Sequence, residues 1–283
     1  MSRVAVVAHR ERFEAAALAR QAAQWLAERG HELYLTPDDA AALDLDDLAA
    51  DRPIGEANLL LSLGGDGTML RAVDLLDGGV VPILGVNLGA LGYLSEIEAN
   101  ALTAALDRFL AGDYQIDERM LLEVSVESSE TTPPAVRRAL NEAVVEKGSG
   151  GHTVRLAVEI DGAAFTTYVA DGLIVATPTG STAYSLSARG PIVSPRHKAL
   201  VLTPVSPHML FDRSLVLDPD EAVVIEVAGH REALLTLDGQ EVGLLCPGDR
   251  VRCVAAAEVA RFVRFSRQDF HQILKAKFGL SDR

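Results

Sequence analysis

NLLLSLGGDGTMLRAVDLL, residues 58–76, decides how the chain is read. Residues 58–63 form an apolar strand-like run that enters Gly64-Gly65-Asp66-Gly67-Thr68, and residues 68–76 then take up helical spacing. Strand, glycine turn and helix start is how an open α/β sheet binds a ligand, in the loop beyond a strand's C-terminal end. The glycines let the backbone bend tightly and bring amides close to a ligand. Successive amides and a helix N-terminus together make an anion cradle. The sequence holds no GxxxxGK[ST], no lysine stands near these glycines, and the spacing is not GxGxxG. A carboxylate therefore stands where a P-loop has its lysine. Among phosphates such a group repels unless a metal or a proton-donating hydroxyl lies beside it. Asp66 thus reads as a general base or metal organiser rather than a phosphate clamp. The competing reading is a turn whose aspartate caps the helix beginning at Thr68.

Around this segment the first third alternates strand and helix. Residues 4–8 read as a buried strand, 15–28 as a helix stopped by Gly30, and 31–36 as a second strand. Residues 37–58 are acidic and alanine-rich, an exposed helix plus loop whose charges form a solvated face. Residues 80–86 are another buried strand and 102–110 a further helix. This alternation predicts an α/β, Rossmann-like N-terminal domain with a parallel sheet and right-handed crossovers. Near Met120 the period changes to two. LLEVSVE, TVRLAVEI, AFTTYV and AVVIEVAG alternate apolar and polar residues, and Asp161-Gly162, Asp238-Gly239 and Pro247-Gly248 mark turns. A β-rich, antiparallel, sandwich-like C-terminal domain is expected over 120–266. Ser266 to Asp269 resembles a capping box, and Phe270, Ile273, Leu274 and Phe278 predict a last helix that returns to the first domain. The expected division is 1–119 plus 267–283, and 120–266. ESSETTPP at 127–134 reads as a solvated hairpin tip.

Composition narrows the function classes. Of 283 residues 48% are apolar, enough for a sizeable core, and the net charge is −14 with only four lysines. No basic run exceeds Arg196-His197-Lys198, so nucleic acid is set aside as a partner. No apolar stretch is long enough to span a membrane and the apolar run at 4–8 is too short for a secretory signal, so a cytoplasmic protein with no membrane partner is expected. Cys246 and Cys253 form no CxxC and no histidine pair has zinc-ligand spacing, so no residue is assigned to a resident metal. Ser149 in KGSGG is no GxSxG elbow, and Met209, Leu210 and Phe211 read as core.

Two further segments carry chemistry. DGLIVATPTGSTAYSLS, residues 171–187, is a buried strand, a Pro/Gly turn and a hydroxyl-rich helix start. Thr179, Ser181, Thr182, Tyr184, Ser185 and Ser187 suit a ribose and an adenine edge, with Tyr184 available to stack. The alternative is helix capping with surface serines. Asn141-Glu142 opens a strand and by itself is only a solvated pair.

GGDGT, then Asn-Glu 75 residues after Asp66, then DGLIVATPTGSTAYSLSA, in that order, resemble the NAD kinase family. The likeness covers nearly the whole chain, VNLGALGYL at 86–94 and Leu237-Asp-Gly-Gln240 included. GGDGT alone is shared with relatives among lipid kinases and phosphofructokinases; the 171–188 segment is far more specific. The resemblance implies a kinase that transfers the γ-phosphoryl group of ATP, or of polyphosphate, to the adenosine 2′-hydroxyl of NAD, with Asp66 as base and NAD bound between the domains. The glycine loop, Gly64, Gly65, Gly67 and Thr68, then lies against the donor phosphates. The family's NAD contacts fall on Gly67, Asn141, Glu142, Asp171 and the run Thr182, Ala183, Tyr184, Ser185, Leu186 and Ser187. Arg71 matches a position that touches nucleotide in some members, and His152 and Gln240 match further contact positions. Mg²⁺ and a homodimer or homotetramer are implied as well. The rival readings are a lipid or sugar kinase sharing the loop, and a non-catalytic NAD-binding regulator. One departure stands out: where the family continues with Gly-Gly-Pro, this chain has Arg189-Gly190-Pro191.

Overall fold

The structure, a computed structural model, describes residues 1–89, 92–128, 136–148, 151–266 and 269–280. The chain divides into two compact units, Met1–Glu118 with Ala260–Arg283, and Arg119–Val259.

The first unit holds β1 (Arg3–Ala8), α1 (Phe13–Ala27), β2 (Glu32–Leu35), α2 (Pro37–Ala42), β3 (Leu59–Gly64), α3 (Asp66–Leu76), β4 (Ile83–Asn87), β5 (Ile97–Glu98) and α4 (Leu102–Leu110). The strand order is β2-β1-β3-β4, all parallel. Burial on both faces explains why β1, β3 and β4 are mostly apolar. Val4, Val6, Leu59, Leu61, Leu84 and Val86 share a core with α1 and α4. On β4 the intervening Gly85 lies against Met69 of α3, where a Cβ would fall 2.7 Å from the sulfur. The chain turns one way from β1 to β2 and the other way to β3, so the topological switch point lies between β1 and β3. Gly30 closes α1 as read: it is left-handed, its N–H donates to Ala27 O, and the N–H of His31 donates to Leu26 O.

The region 37–58 differs from the solvated face expected of it. Thr36 caps α2 by accepting from the N–H of Asp39, and Asp39, Ala40, Leu43, Leu45 and Ile54 are buried. Acidity misled here because the charge of Asp39 is met inside the protein by two arginines, described below. The strand expected from residue 80 begins only at Ile83, with Val80 exposed.

The second unit is built from most of β6 (Gln115–Glu127), β7 (Val136–Ala139), β8 (Glu142–Lys147), β9 (Val154–Ile160), β10 (Ala163–Ala170), β11 (Gly172–Ala176), α5 (Tyr184–Ser187), β12 (Leu200–Val205), β13 (Leu215–Leu217), β14 (Val223–Ala228), β15 (Ala233–Leu237), β16 (Gln240–Leu245) and most of β17 (Arg250–Arg264). One antiparallel sheet runs β13-β12-β11-β8-β15-β16 and another contains β10-β9-β14-β17. Their inner faces, with Leu156, Val158, Ile225 and Val251 from one and Val145, Leu173, Val175 and Leu235 from the other, make one core. Asp161-Gly162 and Asp238-Gly239 are two-residue hairpin turns with positive φ at all four residues, joining Ile160↔Ala163 and Leu237↔Gln240. Leu210 is fully exposed and Phe211 packs edge-on to the half-exposed Phe165, so of residues 209–211 only Met209 reaches the core.

β17 carries the chain back to the first unit, where Phe262 pairs parallel with Ile83 of β4. Arg264 is buried there, paired with Glu96 at 3.2 Å and Asp117 at 3.3 Å. The last helix, α6 (Phe270–Phe278), is capped by Asp269 itself, whose carboxylate accepts from the N–H of His271 and Gln272. The capping box read at 266–269 is thus replaced by a single aspartate cap; its residues 267 and 268, like most of the 127–134 tip and Ser149, lie outside the described residues. α6 belongs to the first unit through contacts such as Lys277 over the Tyr93 ring, but buries no residue completely.

Candidate active site

The GGDGT loop leaves the C-terminal end of β3 and becomes α3 without a side-chain cap. Asp66 is the first helical residue, two residues earlier than the helix start read from the pattern. Its carboxylate does not cap its own helix. Oδ2 accepts from the N–H of Tyr93 at 2.9 Å and Oδ1 from the N–H of Leu94 at 3.1 Å. This disposes of the capping reading. Each carboxylate oxygen keeps a further lone pair for a hydroxyl proton.

Gly92 makes that arrangement possible. A Cβ there would overlap Asp66 Oδ1 and lie 2.8 Å from Cγ. Gly64 is likewise forced, because its Cβ would lie 2.7 Å from Thr68 Cβ. Gly65 and Gly67 are different. Neither has positive φ, and a Cβ on either meets nothing within 4 Å. The protein's own packing does not demand glycine there; the space beside both is clear of other protein atoms.

The second unit builds a separate polar cluster around Asp238, on the turn between β15 and β16. Its carboxylate accepts from the N–H groups of Leu140 at 2.7 Å, Asn141 at 2.7 Å and Glu142 at 3.0 Å. Thr177, just past β11, donates its hydroxyl to Leu140 O and its N–H to Asn141 O. Gly180 then packs so closely that a Cβ would sit 2.7 Å from Asn141 Cα. These contacts bring 140–142, 177–184 and 238–240 together, three segments far apart in sequence.

Glu142 is buried at the centre of this cluster. One oxygen takes the backbone N–H of Tyr184, and Oε2 has no partner. Burial, with the negative charge of Asp238 added, pushes the carboxyl up to about 8, while the Tyr184 N–H opposes the shift. A buried carboxyl with a free oxygen is costly unless a donor arrives to fill it. Tyr184 itself is 38% exposed and free to meet a ring.

The hydroxyl-rich run divides between the two readings given to it. Thr179, Ser181 and Ser185 are buried. Ser181 bonds Pro178 O and Val193, and Ser185 shares its hydroxyl with Thr203 at 3.1 Å. These side chains serve the turn. Thr182 bonds Thr179 O, Ala183 and Leu186 are half-buried, and Ser187 is exposed. Asp171 is engaged by Lys147 at 2.8 Å. Gln240 is exposed beside the Asp238 turn, and His152 is exposed before β9 with no hydrogen bond to the cluster. Arg71 donates to Ala8 O and to Asp39 and makes no hydrogen bond to Asp66. Sequence reading missed Gly92, Asp238 and Asp39. VNLGALGYL and LDGQ carry the family likeness, yet no local pattern shows which backbone amides a distant carboxylate will take.

Comparison with known proteins agrees with this geometry. Residues 4–114 match the ATP-NAD kinase N-terminal domain and residues 140–265 the ATP-NAD kinase C-terminal domain. An NAD kinase of Moorella thermoacetica is 42% identical over 98% of this chain and 89% of its own length. One of Citrifermentans bemidjiense is 39% identical over the full length of both. A yeast NADH kinase solved with NADH superposes with a TM-score of 0.88 at 26% identity, over 100% of this chain and 89% of that one. With a parallel sheet carrying a glycine loop and a carboxylate, followed by a β-rich unit, these matches make the chain a phosphotransferase of the kinase class. It belongs to the NAD kinase family. The lipid or sugar kinase and the non-catalytic regulator are not favoured. Among the described residues no helix is long and apolar enough to cross a membrane.

Proposed function

We propose that the chain transfers the γ-phosphoryl group of ATP to the adenosine 2′-hydroxyl of NAD, with Asp66 taking the hydroxyl proton. The observation that carries this reading is Asp66: a carboxylate with lone pairs to spare, fixed by two backbone amides beside a loop whose Gly65 and Gly67 the fold leaves open. The donor phosphates lie against that loop in the first unit, Met1–Glu118 with Ala260–Arg283. Mg²⁺ comes with the nucleotide as part of the donor substrate and screens Asp66 from the phosphates. Inorganic polyphosphate offers the same chain of phosphates and is the alternative donor. NAD is held by the second unit, Arg119–Val259. Glu142 Oε2 is the acceptor that a ribose hydroxyl fills, Asn141 sits beside it, and Tyr184 stacks on the adenine. Gly67, Asp171 and 182–187 complete the contacts, with His152 and Gln240 at the margin. In-line attack needs no phosphoenzyme. A general base contributes ~10²–10⁴-fold, and positioning and charge neutralisation contribute more. As the family resemblance implies, the enzyme is proposed to be cytoplasmic and to work as a homodimer or homotetramer.

The test is NADP formation from NAD, ATP and Mg²⁺ by the purified protein, with Asp66→Asn alongside. The variant keeps its fold and NAD affinity and loses at least ~10² in rate. A variant rate within ~10-fold of wild type removes Asp66 as base.

A further inference from the structure

The first unit holds a charged cluster that the mechanism above does not use. Asp39 of α2 is completely buried, yet it is ionically paired twice. Arg10, two residues past the end of β1, donates Nε at 2.9 Å and Nη2 at 2.7 Å to Asp39 Oδ1. Arg71 of α3 donates Nη2 to both Asp39 oxygens and Nη1 to Ala8 O at 3.1 Å. One carboxylate against two guanidiniums leaves a local charge of plus one in a chain of net charge −14. The side chains of Arg10 and Arg71 stay 50% and 25% exposed, and Arg10 Nη1 and Arg71 Nε make no hydrogen bond among the described residues.

Position gives the cluster meaning. Arg10 follows β1 and Arg71 follows β3, so the pair flanks the switch point, where an open α/β sheet binds its ligand. Arg71 stands five residues beyond Asp66 on the helix that begins in the glycine loop, and helical side chains lean toward the N-terminus. A clamp serving only to close α2 onto the sheet needs one arginine, and it has no use for a second that is half in solvent.

We propose that Arg10 and Arg71, aligned by the buried Asp39, form a preorganised site for the phosphate chain of the donor, filling the part that lysine plays in a P-loop. Asp39 is a positioning residue: it fixes the planes of both guanidiniums, so that their free N–H groups face an incoming anion with little ordering cost. This rests on the kinase reading above.

The experiment compares full-length wild type with Arg10→Ala, Arg10→Lys and Asp39→Asn. It measures melting, calorimetric titration with inorganic tripolyphosphate, and the KM of ATP and of NAD. Arg10→Ala is expected to weaken tripolyphosphate and raise the ATP KM by ~10-fold or more, with the NAD KM within ~2-fold and melting little changed. Arg10→Lys recovers part of the loss, since charge returns without the planar fork. Asp39→Asn moves the ATP KM in the same direction; Arg10→Ala decides the matter if Asp39→Asn melts too low to assay. A wild type that does not bind tripolyphosphate, a folded Arg10→Ala with unchanged tripolyphosphate affinity, or equal rises in both KM values overturns the site. A wild type that makes no NADP refutes the kinase reading instead, and the tripolyphosphate titration still decides the anion site.

Discussion

Gly92→Ala asks whether the loop after β4 sets Asp66, the proposed base. The added Cβ overlaps Asp66 Oδ1 and lies 2.8 Å from Cγ and 3.1 Å from Oδ2, so the carboxylate must turn away. Turning breaks the bonds from Tyr93 N at 2.9 Å and Leu94 N at 3.1 Å. A hydrogen bond to a charged group is worth ~1.5–3 kcal/mol, and Asp66 is half-buried, so water recovers part of the two; the expected loss of stability is about 1.5–3 kcal/mol. The effect on rate is larger in proportion, since a misplacement of ~1 Å costs ~10²-fold. The assay is steady-state NADP formation and denaturant unfolding for wild type, Gly92→Ala, Asp66→Asn and the double variant. If Gly92 acts through Asp66, the double variant is no slower than Asp66→Asn, because the two remove the same step. A Gly92→Ala enzyme with kcat within ~3-fold of wild type and unaltered unfolding would refute the argument, since it would mean the carboxylate's position is not what the rate depends on.

Three other outcomes follow from the second unit. Glu142, pushed up to about 8 from 4.5, stays protonated in the folded protein at pH values where the unfolded chain has released the proton. Stability owed to this group is therefore whole below pH 4.5 and falls as pH rises toward 8, by up to ~1.4 kcal/mol per unit; Glu142→Gln flattens that slope, and parallel melting curves for the two proteins between pH 5 and 8 refute the shift. Tyr184→Ala should weaken NAD by roughly 10- to 100-fold with little change in melting, because the ring is 38% exposed; lower melting with unchanged NAD affinity makes it a packing residue. Arg189 has φ 67, a left-handed conformation costing a side chain ~1 kcal/mol or more, so Arg189→Gly should raise the melting temperature by ~2–4 °C, and a lower one contradicts the strain.

What the chain's own patterns carry is uneven, and the reasons are physical. The parallel half was legible because β1, β3 and β4 are apolar on both faces and the intervening segments change to a helical period. The β-rich half was legible because Asp-Gly at 161–162 and 238–239 fits a turn that needs positive φ twice. Arg189 was visible as a departure from the family's glycine, and its φ supplies the reason glycine suits that place. Residues 37–58 went wrong because composition reports charge without reporting partners. Asp39 looks like any solvated acid until Arg10 and Arg71 are folded against it.

The same limit runs through both polar clusters and marks where sequence reading stops. A motif names the residue proposed to react, since its chemistry and local turn are written within five positions, as with Gly64 to Thr68. It does not name the residue that holds the reacting one in place. Asp66 is held by amides 27 and 28 positions away, and Asn141 and Glu142 by a carboxylate 97 and 96 positions away. Backbone N–H groups belong to every residue alike, so such partners leave no side-chain signature on the donor's side. What they do leave is glycine where a Cβ has no room: Gly92 against Asp66 and Gly180 against Asn141. Gly65 and Gly67 have room and are glycine nonetheless. The contrast separates two uses of one residue type: Gly92 and Gly180 answer to the fold, whereas packing gives no reason for glycine at 65 and 67, where the donor phosphates are proposed to approach.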